Sequence, residues 1–143
     1  MAMCCAASIL PLQLEPNSAG RIAAYIQEAV PLTLAPLCEF LQLLNQSDGC
    51  AVVVSSDAAE HPVREWPHYV AAKRAVEALA CVASLQYPRV GTLIVRPLKL
   101  FTAMTNTPMG RLGAASPGLL ANRIAELLEL SLEPGKTEIL NLR

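Results

Sequence analysis

Apolar positions recur at helical spacing between Arg21 and Leu44. They are Ile22, Tyr25, Ile26, Val30, Leu34, Leu37, Cys38, Leu41 and Leu44. A recurrence at every third or fourth residue predicts a helix over residues 21–44 with one face toward a core. Pro31 and Pro36 lie within it. Because each proline removes a backbone donor, we expect them to kink this helix or divide it in two.

Two short apolar runs, residues 50–55 and 91–96, predict strands. Both are rich in β-branched residues and lack polar alternation, which is typical of strands covered on both faces of a parallel sheet. Residues 68–86 between them are alanine-rich and weakly charged, so we expect a helix that is buried on more than one side.

The last third of the chain begins with an irregular stretch, residues 98–116, which is typical of a functional loop. A helix over 117–130 follows, with Pro117 at its first position, and then a strand over 137–142. The order helix, strand, helix, strand, loop, helix, strand predicts one α/β domain over residues 1–143, with parallel strands joined by right-handed crossovers.

Composition narrows the class of protein. Of the 143 residues, 53% are apolar, and the formal net charge is −1. A chain of this kind builds a core, and it lacks the basic surface by which proteins bind nucleic acids. The longest apolar stretches fall short of the roughly 18 residues that span a bilayer. We therefore expect no nucleic-acid partner and no membrane insertion.

The five cysteines show no C-x-x-C pair and few neighbouring histidines. That arrangement disfavours a disulfide framework or a zinc site. Met1–Cys5 lacks the basic segment of a signal peptide, so we expect a reducing, cytoplasmic location. The apolar surroundings of Cys38, Cys50 and Cys81 predict that they are small buried side chains.

Polar groups follow the first predicted strand and begin the next helix. Ser55 and Ser56 end the strand, Tyr69 lies thirteen residues after Ser56, and Lys73 lies four residues after Tyr69. Residues four apart share a helix face, so the phenol and the ammonium can point the same way. A nearby cation favours the phenolate and makes a tyrosine a better proton donor or acceptor.

These residues, followed by a strand that ends in Pro97 with Thr102 five residues on, resemble the short-chain dehydrogenase/reductase family. The resemblance implies that Ser56, Tyr69 and Lys73 are catalytic. It also implies that Tyr69, Lys73, Pro97 and Thr102 contact an NADP or NAD cofactor. Residues 98–116 match the family's substrate-binding loop, and Cys4-Cys5-Ala6-Ala7 lies where the family often has Asn-Asn-Ala-Gly.

The sequence also departs from the family pattern. It has no strand, glycine-rich turn and helix of the kind that binds a pyrophosphate, which implies a truncated Rossmann-like three-layer sandwich without its N-terminal βαβ half. Glu28 or Gln27 lies where the family often has an asparagine of a proton relay. Leu98 replaces a common glycine after the proline and is expected to crowd the nicotinamide.

Other candidate residues have simpler interpretations. Asp57, Glu60, Glu65, His61 and His68 are clustered in sequence but lack the spacing of metal ligands, and we expect no metal site. For Trp66 we expect packing against the loop rather than a place at a pocket mouth. Arg96 and Lys99 are expected to be solvated rather than to bind an anion. Cys4 and Cys5 are expected to form pocket wall rather than a nucleophile.

Two functions remain open from the sequence. The first is the catalytic half of a ketone reductase that is completed by a nucleotide-binding half in a separate polypeptide or a longer enzyme. Its loop resembles that of reductases acting on thioester-bound or other lipophilic ketones. The second is a non-catalytic subunit for dimerisation or assembly, because the resemblance implies an oligomer interface on helices 21–44 and 68–86. The substrate, its stereochemistry and the choice between NAD and NADP are not encoded in a recognisable motif.

Overall fold

The computed structural model describes residues 11–101, 111–129 and 132–142. Its elements are helix α1 (Ala19–Gln46), strand β1 (Cys50–Val54), a short 3₁₀ helix (Asp57–Ala59), helix α2 (Pro67–Gln86), strand β2 (Gly91–Pro97), helix α3 (Pro117–Glu129) and strand β3 (Thr137–Leu142). The bounds of the predicted helices and strands agree with these to within two residues, and the 3₁₀ helix was not predicted.

The three strands form one parallel sheet in the order β1-β2-β3. Val54 pairs with Val95, and Pro97 pairs with Leu142, so the carboxyl ends of the strands meet at one edge. The central strand is buried along nearly its whole length. A continuous apolar strand of this kind is stable only when both sheet faces are covered, as the sequence predicted.

Helices cover the sheet on its two faces. Val53 and Ile94 point toward α1 and α2, where they pack with Val30, Val76 and Ala80. The alternate residues Leu93 and Val95 point the other way and pack against Leu120 of α3. This three-layer α/β arrangement confirms the predicted fold class, a truncated Rossmann-like sandwich.

Helix α1 runs without interruption through both of its prolines. The expectation that they divide the segment is therefore wrong. Each proline leaves one carbonyl without its helical donor, that of Gln27 for Pro31 and that of Leu32 for Pro36. Both of these residues are exposed, so water can satisfy the two carbonyl groups on the outer side of the helix.

Helix α2 is buried on one side only, contrary to the expectation. Its buried stripe repeats about every fourth residue and consists of His68, Ala72, Val76, Glu77, Ala80, Ala83 and Ser84. Leu79, Val82 and Leu85 are exposed on the remaining surface. The Ala-rich composition arises because small side chains allow close packing against α1 and the sheet, and it does not report a second buried face.

The prediction of buried cysteines is also wrong for two positions. Cys38 and Cys81 are exposed on α1 and α2, and Cys50 is half-buried at the start of β1. Apolar neighbours in sequence did not distinguish the inner helix faces from outer faces that are themselves apolar.

Among the described residues, no helix is both long enough and apolar enough to cross a membrane.

Candidate functional site

The two serines after β1 have different environments. Ser55 is buried, its amide donates to the Val95 carbonyl at 2.7 Å, and its hydroxyl lies beside the Glu77 carboxylate. Ser56 is half-buried and begins the 3₁₀ helix, where its Oγ accepts a hydrogen bond from the Ala58 amide at 3.2 Å. A hydroxyl that accepts in this way still has its own proton to donate. Ser56 therefore keeps a hydroxyl proton that can be donated to a further acceptor.

Tyr69 and Lys73 lie one turn apart near the start of α2. Pro67 occupies the first turn, where its missing amide costs no helical hydrogen bond. The Lys73 Nζ lies 5.7 Å from the centre of the Tyr69 ring and donates to the carbonyl oxygen of Val54 at 3.2 Å. That contact brings the ammonium to the carboxyl end of β1, next to the two serines. The fold thus brings the predicted serine, tyrosine and lysine to one sheet edge.

Two pairs of aromatic rings lie at the start of α2. Trp66 meets the Tyr69 ring edge-on with 6.4 Å between ring centres, so it packs against the candidate tyrosine. Tyr25 of α1 meets His68 edge-on at 4.5 Å. Burial, and secondarily the Tyr69 phenol, raise the pKa of Tyr25 to about 12. Burial, with a contribution from Arg21, lowers the pKa of His68 and favours its neutral form.

Pro97 is buried at the end of β2, beside the same sheet edge. The residue before it, Arg96, is bound by two carboxylates rather than solvated, which corrects the prediction. Its guanidinium forms a double hydrogen bond with Glu77 and a single one with Glu60. Burial opposes ionisation of Glu77, but the hydrogen bonds from Arg96, the nearby Ser55 hydroxyl and the charges of Arg96 and Arg74 outweigh it. The pKa of Glu77 is therefore lowered.

Some of the other predicted residues are described by the structure, and others are not. Thr102, Cys4 and Cys5 are outside the described residues. Leu98 is exposed at the start of the loop that follows β2. Lys99 donates to the Leu112 carbonyl at 3.3 Å and so helps to close that loop. Gln27 and Glu28 are both exposed on α1, and the α1 side chain that approaches the site is Tyr25.

The acidic and histidine residues of the loop before α2 do not converge on one point. Within the described parts of the chain, no three metal-ligating side chains are grouped as a metal site would require. His61 instead pairs with Asp57 at 3.0 Å, one turn away, and His68 is buried against Tyr25.

A sequence model of the short chain dehydrogenase family matches residues 26–115, well over half of the chain. The chain belongs to the short-chain dehydrogenase family. The matched region contains the serine turn, Tyr69, Lys73 and Pro97 that the structure brings to one edge. A comparison with curated proteins finds no matching relative.

Solved structures of the family share the fold. An alcohol dehydrogenase from the archaeon Thermococcus sibiricus, in complex with 5-hydroxy-NADP, is 25% identical with a TM-score of 0.78, and the match covers 96% of this chain and 60% of that protein. Acetoin dehydrogenases from Salmonella typhimurium and Enterobacter cloacae are 16% and 18% identical, with TM-scores of 0.73 and 0.72. Those matches cover 95% of this chain and 60% and 59% of the two proteins. The chain thus spans about three fifths of the length of these family members.

Sequence reasoning missed three residues of the site region: Tyr25, His68 and Glu77. Tyr25 was assigned to the core face of a helix, and His68 was treated only as a candidate metal ligand. Glu77 lies one turn after Lys73, on the same helix face as Tyr69 and Lys73, and that spacing was the available signal. Its partner Arg96 is nineteen residues away in sequence, so the pair becomes apparent only in the folded chain.

Proposed function

We propose that this chain is the catalytic half of an NAD(P)-dependent short-chain reductase. Its substrate would be a ketone, thioester-bound or otherwise lipophilic, and a complementary nucleotide-binding half would complete the enzyme. The observation that carries the proposal is the convergence of Ser56, Tyr69 and Lys73 at the carboxyl edge of the sheet. Ligands of open α/β sheets bind at this edge.

Each of the three side chains has a role that its environment supports. Ser56 retains a hydroxyl proton with which it orients the substrate carbonyl. Tyr69 donates a proton to the carbonyl oxygen as that oxygen gains negative charge. The Lys73 ammonium, 5.7 Å from the ring centre, stabilises the phenolate that remains. A well-placed general acid accelerates such a step by roughly a hundred- to ten-thousandfold.

The described residues fit the nicotinamide end of a dinucleotide. Lys73 and Tyr69 provide hydrogen-bonding groups for a ribose, and Pro97 provides a buried apolar wall at the strand end. A bound NADP or NAD would supply the hydride. The glycine-rich turn that holds a pyrophosphate has no counterpart in this sequence, so the adenosine end requires residues from another segment.

The free side of β1 is where we place the complementary half. Within the described residues, β1 pairs only with β2, so its other edge offers backbone hydrogen bonds to a further strand. An apolar groove of about 170 Å³ lies beside that edge, and its walls include Leu37 and Phe40 of α1 and Val52 of β1. A strand and helix from the nucleotide-binding half would pair with β1 and fill this groove.

The start of the loop after β2 supports the proposed substrate class. Leu98 and Phe101 are exposed there, directly after the buried Pro97. Exposed apolar side chains beside a polar catalytic group favour a substrate with an apolar body. A lipophilic or thioester-bound ketone has this character.

Calorimetry of NADPH and NADH binding tests the requirement for a second half. We expect weak binding to this chain alone and tight binding once the complementary half is added. Tight binding to the chain alone would show that no second half is needed. Failure to bind in both preparations would favour the non-catalytic assembly function.

The substitution Tyr69→Phe tests the chemistry in the reconstituted enzyme. Removal of the phenolic hydroxyl should lower kcat by at least about a hundredfold, while nucleotide binding, to which Lys73 and Pro97 still contribute, weakens far less. Tyr87→Phe is the matched control, because Tyr87 ends α2 at the far side of the core and should leave kcat unchanged. Equal rates for wild type and Tyr69→Phe would exclude the proposed acid.

A further inference from the structure

Three charged side chains link the elements that carry the proposed catalytic groups. Arg96 Nε and Nη2 donate to the two Glu77 carboxylate oxygens at 2.9 and 2.8 Å, and Arg96 Nη1 donates to Glu60 Oε2 at 2.9 Å. The side chains of Arg96 and Glu77 are only 14% and 10% exposed, whereas Glu60 is 38% exposed. Two parallel bonds from a planar guanidinium fix both distance and orientation.

Each member of this network is close in sequence to a residue of the candidate site. Glu77 lies one turn after Lys73 on α2, and Arg96 immediately precedes Pro97 on β2. Glu60 ends the 3₁₀ helix that Ser56 begins, and its amide donates to the Asp57 carbonyl at 2.9 Å. One guanidinium therefore joins the serine turn, the tyrosine–lysine helix and the end of the central strand.

We propose that Glu60, Glu77 and Arg96 form a brace that fixes the Ser56 turn and Pro97 relative to Tyr69 and Lys73. The three are positioning residues, and this role rests on the proposed reductase function. The charges of the brace sum to −1, so it is not built to attract an anionic ligand. Its effect is geometric, and a displacement of about 1 Å at a reacting group can reduce a rate roughly a hundredfold.

The serine turn depends on the brace more than the other two elements do. Helix α2 and strand β2 are held by the apolar core, which includes Val76 and Ile94. The turn buries only the small side chains of Ala58 and Ala59 and is otherwise held by short local bonds such as that from the Ala59 amide to the Ser56 carbonyl at 2.9 Å. Glu60 provides a tie from the far end of this turn to the core elements. Loss of the tie should loosen the turn while the sheet remains intact.

The first test is hydrogen exchange of the 143-residue chain, followed by mass spectrometry. Glu60→Ala should speed exchange of the amides of residues 58–60 by about tenfold, with no change at β2, because only the local opening is affected. Asp48→Ala is the matched control, since it removes an exposed double hydrogen bond to Arg89 near the start of β1. It should leave residues 58–60 unaffected. Unchanged exchange at those residues in Glu60→Ala would overturn the brace.

The second test separates positioning from folding in the reconstituted enzyme. Glu60→Ala should lower kcat roughly tenfold to a hundredfold, with KM for NADPH and the urea midpoint unchanged. Arg96→Lys should cause the same loss, because an ammonium cannot make the paired bonds to Glu77. Unaltered kcat in both variants would exclude a positioning role. If the reconstituted wild type has no turnover, the proposed function fails, and the exchange experiment alone decides whether the brace exists.

Discussion

At the scale of single residues, burial distinguishes two adjacent serines. Ser55 and Ser56 are identical in chemistry and differ by one position along an extended backbone, so their side chains point to opposite sides. Ser55 is directed inward beside Glu77, and Ser56 begins a turn at the sheet edge. The family resemblance pointed to Ser56, and the structure shows that the two hydroxyl groups differ: that of Ser55 is buried beside Glu77, and that of Ser56 accepts from the Ala58 amide at the sheet edge.

The ionisation of a single residue, Glu77, should make the free energy of unfolding depend on pH. The pKa of Glu77 is lowered in the folded chain, so its carboxylate stabilises the fold at pH values above its ordinary pKa of 4.5. This contribution is lost as the pH falls through the lowered value in the folded state. At neutral pH, Glu77→Gln leaves Arg96 largely buried without its main partner and should lower the free energy of unfolding by about 3 kcal/mol.

Urea unfolding between pH 3 and pH 7, roughly the range over which carboxylates titrate, checks both parts of this prediction. The wild type should lose stability faster than Glu77→Gln as the pH falls below about 4.5, so the two curves converge. Asp48 also has a lowered pKa, because of its hydrogen bonds with Arg89. Asp48→Asn is therefore the control for acid effects outside the site. Parallel curves for wild type and Glu77→Gln would contradict the prediction.

At the scale of elements, the outer surfaces of α1 and α2 are unusually apolar. Leu32 and Leu43 of α1 and Leu79, Val82 and Leu85 of α2 are all exposed. The exposure of Cys38 and Cys81 on the same helices adds to this surface. Apolar surface of this extent on a near-neutral chain favours association. We therefore propose that α1 and α2 form the interface of a homo- or hetero-oligomer.

A charge on α2 should disrupt such an interface. Leu85 is 80% exposed, so Leu85→Glu should change the stability of the isolated chain by less than about 0.5 kcal/mol. It should nevertheless shift the mass measured by light scattering toward that of the monomer, because association would bury an unpaired carboxylate. Leu119→Glu on α3 is the matched control, and it should leave the mass unchanged. An oligomer that persists in Leu85→Glu would place the interface elsewhere.

At the scale of the whole molecule, the described sheet is small for its fold. It has three strands, and the chain spans about 60% of the length of the Thermococcus sibiricus enzyme. The β1 edge and the groove beside Phe40 form one continuous apolar boundary. Edges of this kind favour pairing with a further strand. The proposed nucleotide-binding half would therefore stabilise this chain as well as supply the cofactor site.

A substitution in the groove tests this docking. Phe40→Glu should weaken binding of the complementary half at least tenfold in a titration calorimetry experiment, because it places a charge in an apolar contact. Leu112→Glu, in the exposed loop before α3, should leave the affinity unchanged. Urea unfolding of both variants alone distinguishes a docking defect from a folding defect. Equal affinities for Phe40→Glu and wild type would exclude this groove.

The sequence by itself determined the alternation of elements, the buried parallel strands and the serine, tyrosine and lysine positions. Local periodicity is sufficient for the elements and the buried strands, because each depends on residues near one another in the chain, and the family resemblance marked the serine, tyrosine and lysine. Only the tertiary structure decided that α1 passes through Pro31 and Pro36, and that Cys38 and Cys81 face outward. It also decided that Arg96 binds Glu77 and Glu60, and that Ser55 turns inward. Burial and long-range pairing depend on how distant segments meet, so a single sequence does not encode them in any local pattern.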